Sequence, residues 1–370
     1  MTGPGSGPSV GLGPSPGVGI GWRAELARFI AGMDDLRFVE VIAEGLTATG
    51  PLPGPLAQLK ARGVRVIPHG VRLSLGGADK PDRRRIAHLA RVAELLDAPL
   101  VSEHVAFVRA GGTEAGHLMP VPRTREALQI VAENVRQAQE QLPVPLALEQ
   151  IAALVDWPEA EMDEAAFLCE LLDRTGALLL LDVANLYANA RNHRYDPLGF
   201  LDRLPLDRIA YVHVAGGLER DGVYHDTHTR AVPPGVLQLL EELCARTAPP
   251  GVLLERDDDF PPDSEIAAFA RVTPPPEGGA LADGLAFSRV IARERRLPDD
   301  ARIESMLATS RVKLRHNRLV ARRGPRLAAA MTGRPRRLVV IATLPPIGTR
   351  IATLGPLTRA RRSRPGTRPR

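Results

Sequence analysis

The sequence predicts an α/β fold, a (β/α)8 or TIM barrel, on three observations. Eight short apolar runs, several rich in Val and Ile, recur between residues 17 and 257. Segments of helical length separate them, and several are amphipathic. The polar residues that chemistry needs cluster at the ends of the runs, where barrel enzymes keep their sites.

The runs are GVGIGW (17–22), FVEVIAE (38–44), VRVIPH (64–69), LVSEHVAF (100–107), PLALEQ (145–150), ALLLLDVAN (177–185), IAYVHVAG (209–216) and VLLERD (252–257). Their near-continuous apolar character suits strands buried on both faces. GVGIG superficially resembles a phosphate loop but lacks the Lys-Ser/Thr ending and the third spaced glycine, so it reads as the first strand. Helices are predicted over 81–98, 124–142, 163–176 and 233–247. Pro81 stands near the start of the first and Gly176 ends the third, as helix punctuation requires. Eight alternations in about 255 residues match the usual barrel length of about 250.

The chain divides by composition into a flexible, Gly/Pro/Ser-rich segment (1–16), a barrel (17–272), a linker with a helical extension (273–310) and a disordered basic tail (311–370). The tail holds 17 Arg or Lys and no Asp or Glu, which leaves 31 basic and 43 acidic residues in 1–310, a formal −12. The overall +5 therefore belongs to the tail, and the acidic body is unlike a duplex-binding surface. The tail reads either as a solvated end or as a binder of nucleic acid or an acidic partner. Its apolar stretch LVVIATLPPI (338–347) is broken by prolines and too short for a membrane span. The N-terminus has no cationic start followed by an apolar run, so no signal peptide is expected. Cys169 and Cys244 show no paired spacing, which argues against a disulfide framework and a thiolate zinc site. A soluble, cytoplasmic protein is expected.

His69 ends the third run, His104 lies in the fourth, Glu149 is in the fifth, Asp182 and Asn185 are in the sixth, His213 is in the seventh and Glu255 is in the eighth. The Asp-Thr-His turn after the seventh adds Asp226 and His228. Each has a bland alternative: a satisfied structural histidine, a helix cap for Asp182 or Asn185, an ion pair with an arginine such as Arg256 for Glu149 or Glu255. Burying several carboxylates together without cations is costly, however, and metal ions resolve it. Nitrogen and oxygen donors without thiolate point to iron, manganese or zinc. Nine ligands suffice for two or three ions, with Glu149 or Asp182 suited to bridging. Asp226 and His228, two apart on an extended backbone, would face one side and share an ion. Glu40, Glu44, Arg23, Ser102, Gln150 and Tyr187 are candidates for supporting or substrate-contacting roles. No Ser/His/Asp arrangement or nucleophile elbow is present.

Taken in order, GVGIGWR, FVEVIAE, PHG, VSEHVAF, LALEQIA, LLLDVANLYANARNH, VHVAGG, HDTH and LLERD resemble the multinuclear non-haem iron oxidative enzymes typified by the methanobactin-biosynthesis oxidase. The resemblance covers roughly residues 17–260. It implies a TIM barrel with two or three irons and molecular oxygen as co-substrate. The substrate would be a cysteine in a ribosomally made precursor peptide, recognised with a small partner protein. Carried onto matching positions, the implied iron ligands are the same nine residues. Two features depart from the family pattern: Gln150 stands where Asn commonly follows the glutamate, and the Arg-rich extension has no counterpart. Two rival classes stay open, a redox-inactive barrel hydrolase or isomerase acting on abasic DNA or sugars, and a non-catalytic binding protein stabilised by its metals.

Overall fold

The computed structural model describes residues 17–34 and 36–260, and the backbone of 339–342 and 350–353. Eight parallel strands close on themselves: β1 (Val18–Gly21), β2 (Phe38–Ile42), β3 (Arg65–Gly70), β4 (Val101–His104), β7 (Leu146–Glu149), β8 (Leu178–Asp182), β9 (Ile209–Arg220) and β11 (Val252–Glu255). Pairing of β11 with β1 and of β8 with β9 completes the ring. The chain folds as a TIM barrel. Two hairpins decorate it, β5 (Ala106–Ala110) with β6 (Thr113–Pro120), and the far end of β9 with β10 (Val223–Arg230). Both leave from the C-terminal ends of barrel strands.

Helices α1 (Ala27–Ala31), α2 (Gly54–Ala61), α3 (Arg83–Leu96), α4 (Arg125–Gln139), α5 (Glu164–Thr175), α6 (Val183–His193), α7 (Pro197–Leu201) and α8 (Pro234–Arg246) lie between the strands. Their starts are set by side-chain caps: Asp82 accepts from Arg84 N, Thr124 from Ala127 N and Asp163 from Ala166 N. Gly176 closes α5 at φ 69°, a left-handed turn that glycine adopts without strain. The four predicted helices are each found within two or three residues of their expected bounds.

Period-two alternation along each strand splits the core in two. Outward-facing Val39, Val66, Val101, Leu148, Leu181 and Val214 belong to the shell packed with the helices. Inward-facing Phe38, Ile67, Leu100, Ala147, Leu180, Tyr211 and Leu253 fill the barrel. Gly19 on β1 leaves room for the Phe38 ring, since a Cβ there would lie 2.5 Å from it.

Several expected boundaries are corrected. The fourth run is not one strand but β4 followed by the β5–β6 hairpin. The sixth run ends at Asp182, because α6 begins at Val183, so Asn185 sits in the first turn of a helix. Asp226 and His228 lie in strand β10, whose register shifts between His225 and Arg230. His228 has φ 53°, left-handed and not extended. Within the basic tail, Val339–Ala342 (β12) and Arg350–Thr353 (β13) pair antiparallel. The segment expected to be flexible (1–16), residues 261–272 of the expected barrel domain, the linker and helices expected over 273–310, and the rest of the tail lie outside the described residues.

Candidate metal centre

Two residues beyond each apolar plug residue, the same inward face turns polar. Phe38 leads to Glu40, Ile67 to His69, Leu100 to Ser102, Ala147 to Glu149, Leu180 to Asp182, Tyr211 to His213 and Leu253 to Glu255. All seven polar residues are buried.

The side chains form three overlapping groups whose ligand atoms lie within 4.8 Å of one another: His69–His104–Glu149, Glu149–Asp182–His213 and Asp182–His228–Glu255. Glu149 joins the first to the second and Asp182 the second to the third. Glu149 Oε2 stands 3.6 Å from His69 Nε2 and 3.5 Å from His104 Nε2. His213 Nδ1 faces three carboxylates, Glu255 at 3.3 Å, Glu149 at 3.6 Å and Asp182 at 3.9 Å. His228 Nδ1 lies 3.3 Å from Glu255, while its Nε2 contacts Asp226. Despite the left-handed backbone at His228, both side chains of the Asp-Thr-His segment meet. Asn185 reaches the cluster from α6, its amide Nδ2 donating to Gln150 O at 2.9 Å. All nine expected ligands are thus gathered at the C-terminal ends of the strands.

Whether these residues fit metal ions is answered by their unpaired oxygens. Glu149 Oε2, Asp182 Oδ2, Asn185 Oδ1 and Asp226 Oδ1 are buried without a hydrogen-bonding partner. Such orphans are rare in folded proteins, and four carbonyl or carboxylate oxygens facing one cluster call for cations. The oxygen and imidazole donor set, with no thiolate, fits a first-row divalent ion. Electrostatics agree. Burial, reinforced by Asp226 and Glu149, pushes the Asp182 carboxyl well above its usual range. Glu255 goes the other way: burial raises it, but His228 and His213 outweigh burial and hold it well below. His104 is lowered by burial yet carried up to about 9 by Glu149 and Glu103.

Asp182 fulfils the bland reading as well, because its Oδ1 caps α6 by accepting from Asn185 N at 2.8 Å, leaving Oδ2 for the cluster. Glu255 pairs with Arg23 at 3.1 Å, and Arg23 also reaches Asp257 at 3.0 Å. Gln150 Nε2 donates to Asp182 O at 2.6 Å, fixing β8 against β7. Glu44 accepts from Val71 N at 3.1 Å and braces the loop after β3. Tyr187 lies apart, with its hydroxyl on Arg191 at 2.7 Å and its ring against Tyr224. Ser102 and Glu40 contact the histidines: Ser102 Oγ lies 2.8 Å from His69 Nδ1, and Glu40 Oε2 accepts from His213 Nε2 at 2.8 Å. Tyr211 joins them and was missed, as was Glu103, which accepts from Leu73 N and His104 N.

Residues 17–272 match the family model described as RiPP precursor modification enzyme MbnB/TglH/ChrH. The chain belongs to this family. By that description, the family's members modify ribosomally synthesised peptide precursors. A relative named UPF0276 protein from Streptomyces avermitilis is 57% identical over 257 residues, 68% of this chain and 53% of its own length. The chain thus spans about half of that relative. Another of the same name from Caulobacter vibrioides is 36% identical over 261 residues, covering 70% of this chain and 92% of its own. Among solved structures, D-psicose 3-epimerase from Clostridium cellulolyticum H10 is 12% identical, covering 75% of this chain and 98% of its own with TM-score 0.45. Mannonate dehydratase from Streptococcus suis, also 12% identical, covers 78% and 100% with TM-score 0.43. Among the described residues, no helix is long and apolar enough to cross a membrane.

Proposed function

We propose that this RiPP-modifying barrel carries out iron- and oxygen-dependent oxidative modification of a cysteine in a ribosomally synthesised precursor peptide. The observation that carries the reading is the fusion of three ligand groups through Glu149 and Asp182. A shared carboxylate keeps neighbouring ions close enough to act on one substrate, which a lone structural ion does not require. His69, His104 and Glu149 would hold one ion, Glu149, Asp182 and His213 a second, and Asp182, His228 and Glu255 a third, with Asn185 and Asp226 completing the set. Bound iron would supply the redox chemistry with molecular oxygen that no side chain provides.

The protein's share is positioning. Cys169 and Cys244 lie on α5 and α8, away from the cluster, and burial pushes the Cys244 thiol up to about 11, so the reacting sulfur is the peptide's. The apolar plug beneath the cluster closes one side of the site, leaving the C-terminal mouth as the way in. A small peptide-recognition protein is proposed as partner.

The test is to incubate the full chain, purified without oxygen and loaded with Fe2+, with a Cys-containing precursor peptide encoded beside it, and to follow peptide mass. A mass change that needs both iron and oxygen supports the reading. Turnover by metal-depleted protein overturns it, and turnover with zinc in the absence of oxygen moves the assignment to a hydrolase or isomerase.

A further inference from the structure

Behind the metal-facing side chains runs an unbroken hydrogen-bonded chain. His69 Nδ1 lies 2.8 Å from Ser102 Oγ, Ser102 Oγ 2.7 Å from the Tyr211 hydroxyl, the Tyr211 hydroxyl 2.5 Å from Glu40 Oε2, and Glu40 Oε2 2.8 Å from His213 Nε2. All five residues are buried, three of them on neighbouring strands β2, β3 and β4 and two on β9. One end belongs to the His69–His104–Glu149 group, the other to the Glu149–Asp182–His213 group.

The direction of each bond follows from counting protons. Glu40 Oε2 accepts from both the Tyr211 hydroxyl and His213 Nε2–H. Tyr211 has then used its only proton, so its oxygen accepts from Ser102. Ser102 has in turn used its own, so it accepts from His69, which must carry its proton on Nδ1. The two histidines are therefore held in opposite tautomers, and the nitrogens left with lone pairs, His69 Nε2 and His213 Nδ1, each lie 3.6 Å from a Glu149 oxygen.

We infer that Glu40, acting through Tyr211 and Ser102, is a single anchor that sets the tautomer and ring orientation of two histidines in two different metal groups. Glu40, Tyr211 and Ser102 are positioning residues and touch no ion. The inference rests on the metal reading above and deepens it. It also makes an asymmetric forecast: cutting the chain at Ser102 or Tyr211 releases His69 alone, whereas removing Glu40 releases both rings.

The experiment titrates the metal-stripped full chain with Co2+ without oxygen, following ligand-field absorption against a competing chelator. Loss of such an outer partner weakens a site by about 10–100-fold. Ser102→Ala and Tyr211→Phe are expected to weaken one class of Co2+ site by that factor and spare the rest. Glu40→Ala should weaken two classes, and Ser102→Thr, which keeps the hydroxyl, should bind like wild type. If Tyr211→Phe fails to fold, Ser102→Ala, which removes one atom, carries the test. Wild-type affinities in both Ser102→Ala and Tyr211→Phe overturn the inference while leaving the metal reading intact. A wild-type chain that takes up no Co2+ overturns both.

Discussion

The barrel interior has two layers built on the same strands, one step of side-chain alternation apart. In the lower layer, Phe38, Ile67, Leu100, Ala147, Leu180, Tyr211 and Leu253 are fully buried and almost wholly apolar. In the upper, Glu40, His69, Ser102, Glu149, Asp182, His213 and Glu255 are just as buried and all polar. Backbone, register and burial are shared, so the difference lies in the side chains alone. The lower layer stabilises by removing apolar surface from water, at about 25 cal/mol per Å2. The upper desolvates charges that the protein alone leaves frustrated, with the Asp182 carboxyl driven up and Glu255 driven down within one cluster. Except at Tyr211, whose hydroxyl reaches Ser102 and Glu40, packing and the candidate metal site are thus separated by two residues on each strand and can be perturbed independently.

The largest effect should come from Glu149→Ala, which removes the carboxylate common to two ligand groups. Metal content should fall to one ion or none and peptide modification below detection, while a metal-free melting curve stays within a few degrees of wild type. In the lower layer the pattern should reverse. Phe38→Ala leaves every metal-facing residue in place but should cost about 3–5 kcal/mol, measured by urea unfolding.

Asp182→Asn sharpens the contrast, because asparagine caps α6 as well as aspartate does while removing a buried charge. In the metal-free protein at pH 8 it should raise stability by about 1–3 kcal/mol and at the same time weaken metal binding at the two groups that share Asp182, leaving His69–His104–Glu149 able to hold an ion. A loss of metal-free stability would mean that the upper layer is not frustrated.

The smallest effect concerns a carboxyl outside both layers. Glu164 begins α5 in a cleft with Arg123, Gln150 and Phe167, and burial pushes it up to about 7 against the pull of Arg123. Its folded value exceeds its unfolded value, so the protonated fold is favoured. Stability should fall as pH rises from about 4.5 to about 7 and stay level above that. Glu164→Gln should flatten this slope and recover about 1–2 kcal/mol at pH 8 in metal-free protein.

Much of this was readable in the chain. Eight apolar runs gave the strands because parallel barrel strands are buried on both faces, and the nine candidate ligands stood out as polar residues in apolar company. What escaped reading depended on other physics. The β5–β6 hairpin follows β4 after the single residue Val105, with no glycine or proline between them, so the run itself does not show where one strand stops and the next begins. The left-handed backbone of His228 is imposed by the β10 irregularity, which has no glycine or asparagine to announce it. Tyr211 was hidden because an aromatic in a buried strand normally means core. Only the closed barrel, which brings β9 across the interior to Glu40 on β2, shows its hydroxyl at work.

The most direct test of the central claim, that the upper layer is a multinuclear iron site, is metal analysis with Mössbauer spectroscopy on protein purified without oxygen, with His69→Ala and Asp226→Ala alongside. The account predicts two or three irons per chain in the wild type and fewer in each variant. Zinc alone, bound reproducibly with no uptake of iron, would contradict it.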